Sequence, residues 1–141
     1  MKKITILFLS VLTLGLSVAS CSSDDDNGGA SASIEGKWEL IKEGTILNSK
    51  EELVDVENGN CGGHVTEYLT NGSFNEQYFE GSECESSTEK GTYSIKDKTL
   101  NLKYEGSTSD DSAEILELNG STLKLKFTDG NFVYIEVHKR K

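Results

Sequence analysis

The segment Gly91-Thr92-Tyr93-Ser94-Ile95-Lys96-Asp97-Lys98-Thr99-Leu100-Asn101-Leu102-Lys103-Tyr104 reads as two strands joined by a tight turn. A two-residue turn at Asp97-Lys98 sets Ile95 opposite Leu100 and Tyr93 opposite Leu102, with Tyr104 continuing the same face. Period-two alternation that agrees with the length of the turn marks a half-buried antiparallel hairpin. The agreement matters because a slip of one residue would move every apolar side chain to the other face. Strands of residues 91–96 and 99–105 are therefore expected.

Outward from this hairpin, the same pattern recurs. Upstream, residues 64–70 and 73–80 flank Asn71-Gly72, a strong short-range turn signal. A two-residue turn there would place Glu67 opposite Glu76, and like charges facing each other destabilise a sheet. A three-residue loop with Gly72 in the left-handed conformation instead pairs Tyr68 with Phe74, and this register is preferred. Residues 81–90 read as a loop. The first strand is expected over residues 34–42, with Gly36, Trp38, Leu40 and Ile41. Residues 43–63 are the longest irregular piece. Ser49-Lys50-Glu51-Glu52 has the makings of a helical turn and residues 52–56 those of a short strand, and the expectation is a loop or lid with partial order.

Downstream, residues 106–111 read as a polar loop. Strands are expected over 112–118, 122–127 and 131–138, separated by Asn119-Gly120 and Asp129-Gly130. A three-residue loop 128–130 sets Leu125 against Val133 and Leu123 against Ile135, whereas a one-residue slip brings in Phe132 and Tyr134. The count is eight strands in up-and-down order. A meander of that length closes into a barrel and so removes its exposed edges. The interior of such a barrel holds side chains or one small ligand. The fold class expected is all-β, an eight-stranded antiparallel up-and-down barrel.

The N-terminus places the domain. Lys2 and Lys3 precede an apolar run over residues 4–18 that is too short to span a bilayer and reads as a signal-peptide core. Val18-Ala19-Ser20-Cys21 resembles the lipobox of bacterial lipoproteins. That resemblance implies removal of residues 1–20, lipidation of Cys21 and a stable membrane anchor once several acyl chains are attached. Ser23, Asp24, Asp25 and Asp26, within Ser22-Ser23-Asp24-Asp25-Asp26, are similar to an export signal that sends lipoproteins to the cell surface in one phylum of Gram-negative bacteria. Residues 21–33 then form an acidic, polar tether, and residues 34–141 a single domain. Loss of Lys2 and Lys3 moves the formal charge from −10 to −12. Such a chain repels phosphate backbones, so nucleic acid is a poor partner.

Cys61 and Cys84 remain as a pair in a compartment where disulfides persist. Cys61-Gly62-Gly63-His64 also has the spacing of a Cys-x-x-His metal hook, but in an exported protein with two spare cysteines the bond is favoured and no metal or other cofactor is expected. Gly36-Lys37-Trp38 is similar to the Gly-x-Trp signature of lipocalins. The order of lipobox, acidic tether, Gly-Lys-Trp, Cys61, Asn71-Gly72, Cys84, Gly91-Thr92-Tyr93 and Leu100-Asn101-Leu102 resembles the small lipocalin-like lipoproteins of the same phylum over nearly all the mature chain. The resemblance implies a calyx with Trp38 plugging its closed end, a Cys61–Cys84 disulfide, and binding of a small hydrophobic or amphiphilic molecule.

No serine, cysteine or carboxylate sits in a nucleophile or acid–base motif, so the protein is not expected to be an enzyme. Trp38, Tyr68, Phe74, Tyr93, Tyr104 and Tyr134 are the candidate ligand-pocket residues, since aromatic walls with hydroxyl tips suit an amphiphile. His64 reads as a strand-end residue, and His138, beside Lys139-Arg140-Lys141, as part of a solvated tail. Asp110-Asp111 reads as a solvated acidic loop. Asp111-Ser112-Ala113 is similar to the O-glycosylation acceptor of the same bacteria, which makes Ser112 a candidate site. The leading expectation is a non-catalytic small-molecule binder at the outer membrane, lipid-anchored and exposed at the cell surface. The alternative is a filled barrel whose loops contact an envelope or extracellular protein partner.

Overall fold

The computed structural model describes residues 32–80 and 82–141. The signal segment, the lipidation candidate Cys21 and the acidic run Ser23, Asp24, Asp25 and Asp26 lie outside the described residues. Among the described residues nine strands follow one another: β1 (Gly36–Leu47), β2 (Lys50–Asp55), β3 (Val65–Tyr68), β4 (Ser73–Glu80), β5 (Glu85–Lys96), β6 (Thr99–Tyr104), β7 (Asp111–Leu118), β8 (Thr122–Asp129) and β9 (Phe132–Arg140). From β3 to β9 each strand pairs with the next, and β1 pairs with both β3 and β9. Eight antiparallel strands thus close into a barrel, and β2 is an additional strand on the distal half of β1.

The central hairpin has the expected register, with Tyr93 paired to Leu102 and Ile95 to Leu100. Asp97 and Lys98 both adopt positive φ, 50° and 68°, the conformation of a two-residue turn whose twist matches that of its strands. Tyr68 pairs with Phe74 and Gly72 has φ of 81°, so the three-residue loop is the one formed. Glu67 accordingly faces Asn75, and Glu76 faces Thr66.

Strand directions sort the connections to two ends. The β3–β4, β5–β6 and β7–β8 turns share one end with the start of β1. The β1–β2 turn, the β4–β5 turn and the β6–β7 and β8–β9 connections share the other. Segment 56–64 is a side loop that leaves and rejoins the β1 edge at residues 40–42, where Val56 donates to the Ile41 carbonyl and Leu40 to the His64 carbonyl. The first end is sealed. Trp38, Leu100 and Leu123 are wholly buried there, packed with Ile34, Phe74 and Leu125. The Trp38 indole N–H donates to the Ile34 carbonyl at 2.6 Å, and the Arg140 guanidinium lies 4.1 Å from the centre of the indole ring. Arg140 also donates to the carbonyls of Ser33, Glu35 and Gly120, which ties the entering chain across the plug.

Four expectations are corrected. Residues 43–63 are mostly ordered: β1 runs on to Leu47, and Asn48-Ser49, with φ of 50° and 65°, turns it into β2. The turn went unrecognised because neither residue is the glycine that advertises such a turn. Residues 81–90 are not all loop, since β5 begins at Glu85 and pairs with β4 as far as Glu80. Exposed polar residues dominate that stretch, leaving little apolar alternation to read. In the last hairpin Leu125 faces Glu136 and Leu123 faces His138, not Val133 and Ile135. Finally, His138 is no tail residue; it lies in β9 and is only 4% exposed.

Candidate functional site

Toward the open end the interior changes character. On β9 the side chains of Tyr134, Glu136 and His138 share one face, which the register sets against Phe127, Leu125 and Leu123 of β8. On β4, Glu76 follows Phe74 by two residues and therefore shares its face. Together with Thr66, Tyr68, Leu102, Tyr104 and Asp111 these groups, apart from Leu123, enclose a cavity of about 240 Å³. Gly91 makes room for one wall, because a Cβ there would lie 2.6 Å from the Phe74 ring and overlap the Lys103 carbonyl. Wider depressions lie elsewhere, but the acidic and aromatic groups converge in this one.

The polar groups are cross-linked. The carboxylate of Glu76 accepts from His64 Nε2 at 2.5 Å and from the Tyr104 hydroxyl at 2.8 Å. Tyr134 donates to Glu43 at 2.5 Å, and His138 Nε2 donates to Glu136 at 2.9 Å. His138 Nδ1 is buried without a hydrogen-bond partner. The hydrogen bond to Glu76 raises the His64 pKa above its ordinary value, although burial opposes it. Burial alone pushes the Glu76 carboxyl up, but the bonds from His64 and Tyr104 prevail and hold it below the ordinary carboxylate value. The phenols of Tyr68 and Tyr104 are pushed far up by burial and by the negative charge of Glu76, with Glu136 adding to the effect on Tyr68. Burial and Glu43 do the same to Tyr134.

Beside this cavity, Glu43, His64, Tyr78 and Phe79 border a second groove with segment 56–62 and Cys84. Cys61 and Cys84 are joined in a disulfide with a Cα separation of 5.3 Å. The bond fastens the β2–β3 connection to the β4–β5 turn at the open end, so Cys61 is held by sulfur and not by a metal hook. Among the described residues no group of three or more His, Cys, Asp or Glu side chains is arranged to hold a metal ion.

Of the candidate pocket residues, the fold brings Tyr68, Phe74, Tyr104 and Tyr134 to the cavity. Trp38 is in the plug below it. Tyr93 stacks edge-on against Tyr68 at 5.0 Å and donates to the Leu69 carbonyl, which leaves it flanking a depression at the closed end. Ser112 is exposed on β7 beside Asp111. Sequence reasoning missed Glu76, Glu136, His138, Phe127 and Asp111 as lining residues. The available signal was the alternation Tyr134, Glu136, His138, Arg140, which puts four groups with polar ends on one face.

A sequence profile described as a lipocalin-like domain matches residues 34–125. The chain belongs to the lipocalin-like domain family. Among solved structures, this lipocalin-like chain is similar to a lipocalin-like protein from Bacteroides uniformis ATCC 8492. The TM-score is 0.58 and the identity 16%, over 76% of this chain and 97% of that one. It is also similar to an uncharacterized protein from Bacteroides eggerthii DSM 20697, with a TM-score of 0.55 and 14% identity over 76% of this chain and 98% of that one. At these identities the likeness is one of fold. No curated protein matches.

Proposed function

We propose that this lipocalin-like domain is a non-catalytic binder of a small amphiphilic molecule, held by lipid on Cys21 at the outer membrane and exposed at the cell surface. The observation that carries the binding reading is the interior cavity. Its walls combine aromatic faces with fixed polar groups, the usual make-up of a ligand site. Its volume, about 240 Å³, is that of roughly eight water molecules, so the ligand is smaller than drug-sized. The anchor reading rests on the lipobox and acidic run of the sequence. Leu47, Val54 and Phe132 are exposed on strands bordering the open end and offer an apolar approach for the less polar part of the ligand.

Residues 32–141 contain the closed barrel, its plug and its disulfide, and suit native mass spectrometry with and without denaturation in organic solvent. Co-purifying mass released on denaturation, and reduced by Tyr68→Ala or Tyr104→Ala, is the expected result. A clean apo mass that persists after incubation with lipid and small-amphiphile extracts overturns the reading and favours a partner-binding module. Metabolic labelling with a fatty acid, lost in Cys21→Ser, tests the anchor.

A further inference from the structure

We propose that the cavity selects a small organic cation, a protonated amine with an aromatic or aliphatic body; this rests on the barrel being a small-molecule binder. Glu76, Asp111 and Glu136 line the cavity, and neither lysine nor arginine does. The hydrogens that ordinarily satisfy such carboxylates are already committed. His64 and Tyr104 give theirs to Glu76, and Tyr134 gives its own to Glu43. A carboxylate only accepts hydrogen bonds, so His138 must place its Nε2 hydrogen toward Glu136. In the neutral ring Nδ1 is then a lone-pair acceptor, and it is buried without a partner. Thr66 and Tyr68 keep hydroxyls that can donate or accept, but acceptors predominate.

A ligand complementary to this wall brings donors and positive charge. An alkylammonium does both, and charge-assisted hydrogen bonds to carboxylates are the strong ones. The aromatic faces of Tyr68, Phe74, Tyr104, Phe127 and Tyr134 add attraction for a desolvated cation. The cavity volume limits the ligand to a small amine. Anionic amphiphiles such as fatty acids meet the opposite field and are rejected.

The test compares three probes of one size and shape, phenethylamine, phenethyl alcohol and hydrocinnamate, titrated calorimetrically into the purified full chain near neutral pH. Phenethylamine is expected to bind best and hydrocinnamate worst. Glu136→Gln is expected to weaken the amine by about tenfold or more while leaving the alcohol within about twofold. Asp111→Asn, at an exposed position on β7, serves the same comparison if Glu136→Gln unfolds the barrel, as judged by circular dichroism. Amine binding that is absent, no tighter than that of the alcohol or the acid, or indifferent to both substitutions overturns the cation reading. The binding reading falls separately, on a clean apo mass and no affinity for any of the three probes.

Discussion

His64 and Glu76 form the ion pair in which residue-scale chemistry is most exposed to measurement. The pKa of His64 is raised from 6.5, so its contribution to stability is fully present below that value and is lost as pH rises through the higher folded value. The pKa of Glu76 is lowered from 4.5, so its contribution is present above that value and is lost as pH falls through the lower folded one. Glu43 and Glu136 act on His64, and the Tyr104 hydroxyl on Glu76, in the same directions. The expected profile is a stability plateau at mildly acidic pH, between about 4.5 and 6.5, with a decline on each side. In urea titrations across pH, His64→Gln should lower the plateau by about 1–2 kcal/mol and flatten the alkaline decline. An unchanged alkaline limb in that variant would sink the assignment. At Gly91, where a Cβ would meet Phe74 and the Lys103 carbonyl, Gly91→Ala overpacks the wall and should cost about 1–3 kcal/mol by thermal melting.

At the scale of elements, two turns carry avoidable strain. Ser49 and Lys98 both sit at positive φ, a conformation that costs an L-residue about 1–2 kcal/mol and glycine almost nothing. Lys98→Gly is therefore expected to stabilise the β5–β6 hairpin by about 0.5–1 kcal/mol after the added freedom of the unfolded chain is counted, seen as a higher denaturation midpoint. The closed end depends on another local device. Arg140 holds three carbonyls and covers Trp38, and lysine cannot reproduce that planar fork. Arg140→Lys should thus lose most of what Arg140→Ala loses, about 1–2 kcal/mol, with a shift in Trp38 fluorescence. A lysine variant as stable as wild type would show that charge alone suffices.

For the whole molecule, the disulfide joins elements that the sheet does not pair. The bonded cysteines are 23 residues apart, and closing a loop of this length stabilises by roughly 3 kcal/mol in the chain-entropy description. Replacing Cys61 and Cys84 by serine should lower stability by about that amount. It should also make segment 56–64 the first site of proteolysis, because the link lies at the open end and the core at the closed one. Cleavage beginning instead at the β5–β6 turn would contradict this division of the barrel. β2 adds a second asymmetry. Gly44 faces Ile135 across β1 and β9, and a Cβ on Gly44 would overlap the Glu52 carbonyl. Ile135 is nonetheless wholly buried, on the face of β9 that points away from the cavity.

By itself the sequence determined the antiparallel class, the barrel and the registers around Asp97-Lys98 and Asn71-Gly72, because there turn geometry and apolar alternation demand the same pairing. It also pointed to Cys61 and Cys84 as the pair that the structure joins. Tertiary structure alone decided the acidic and histidine part of the cavity lining. Alternation identifies an interior only where the interior is apolar, and in the open half of this barrel the rule reverses. On β9, Val133, Ile135 and Val137 point away from the cavity while Tyr134, Glu136 and His138 turn toward it. That choice follows from closure of β9 onto β1, a pairing between distant parts of the chain that no local pattern encodes. It turns the polar face of an expected strand into the acidic wall of a site.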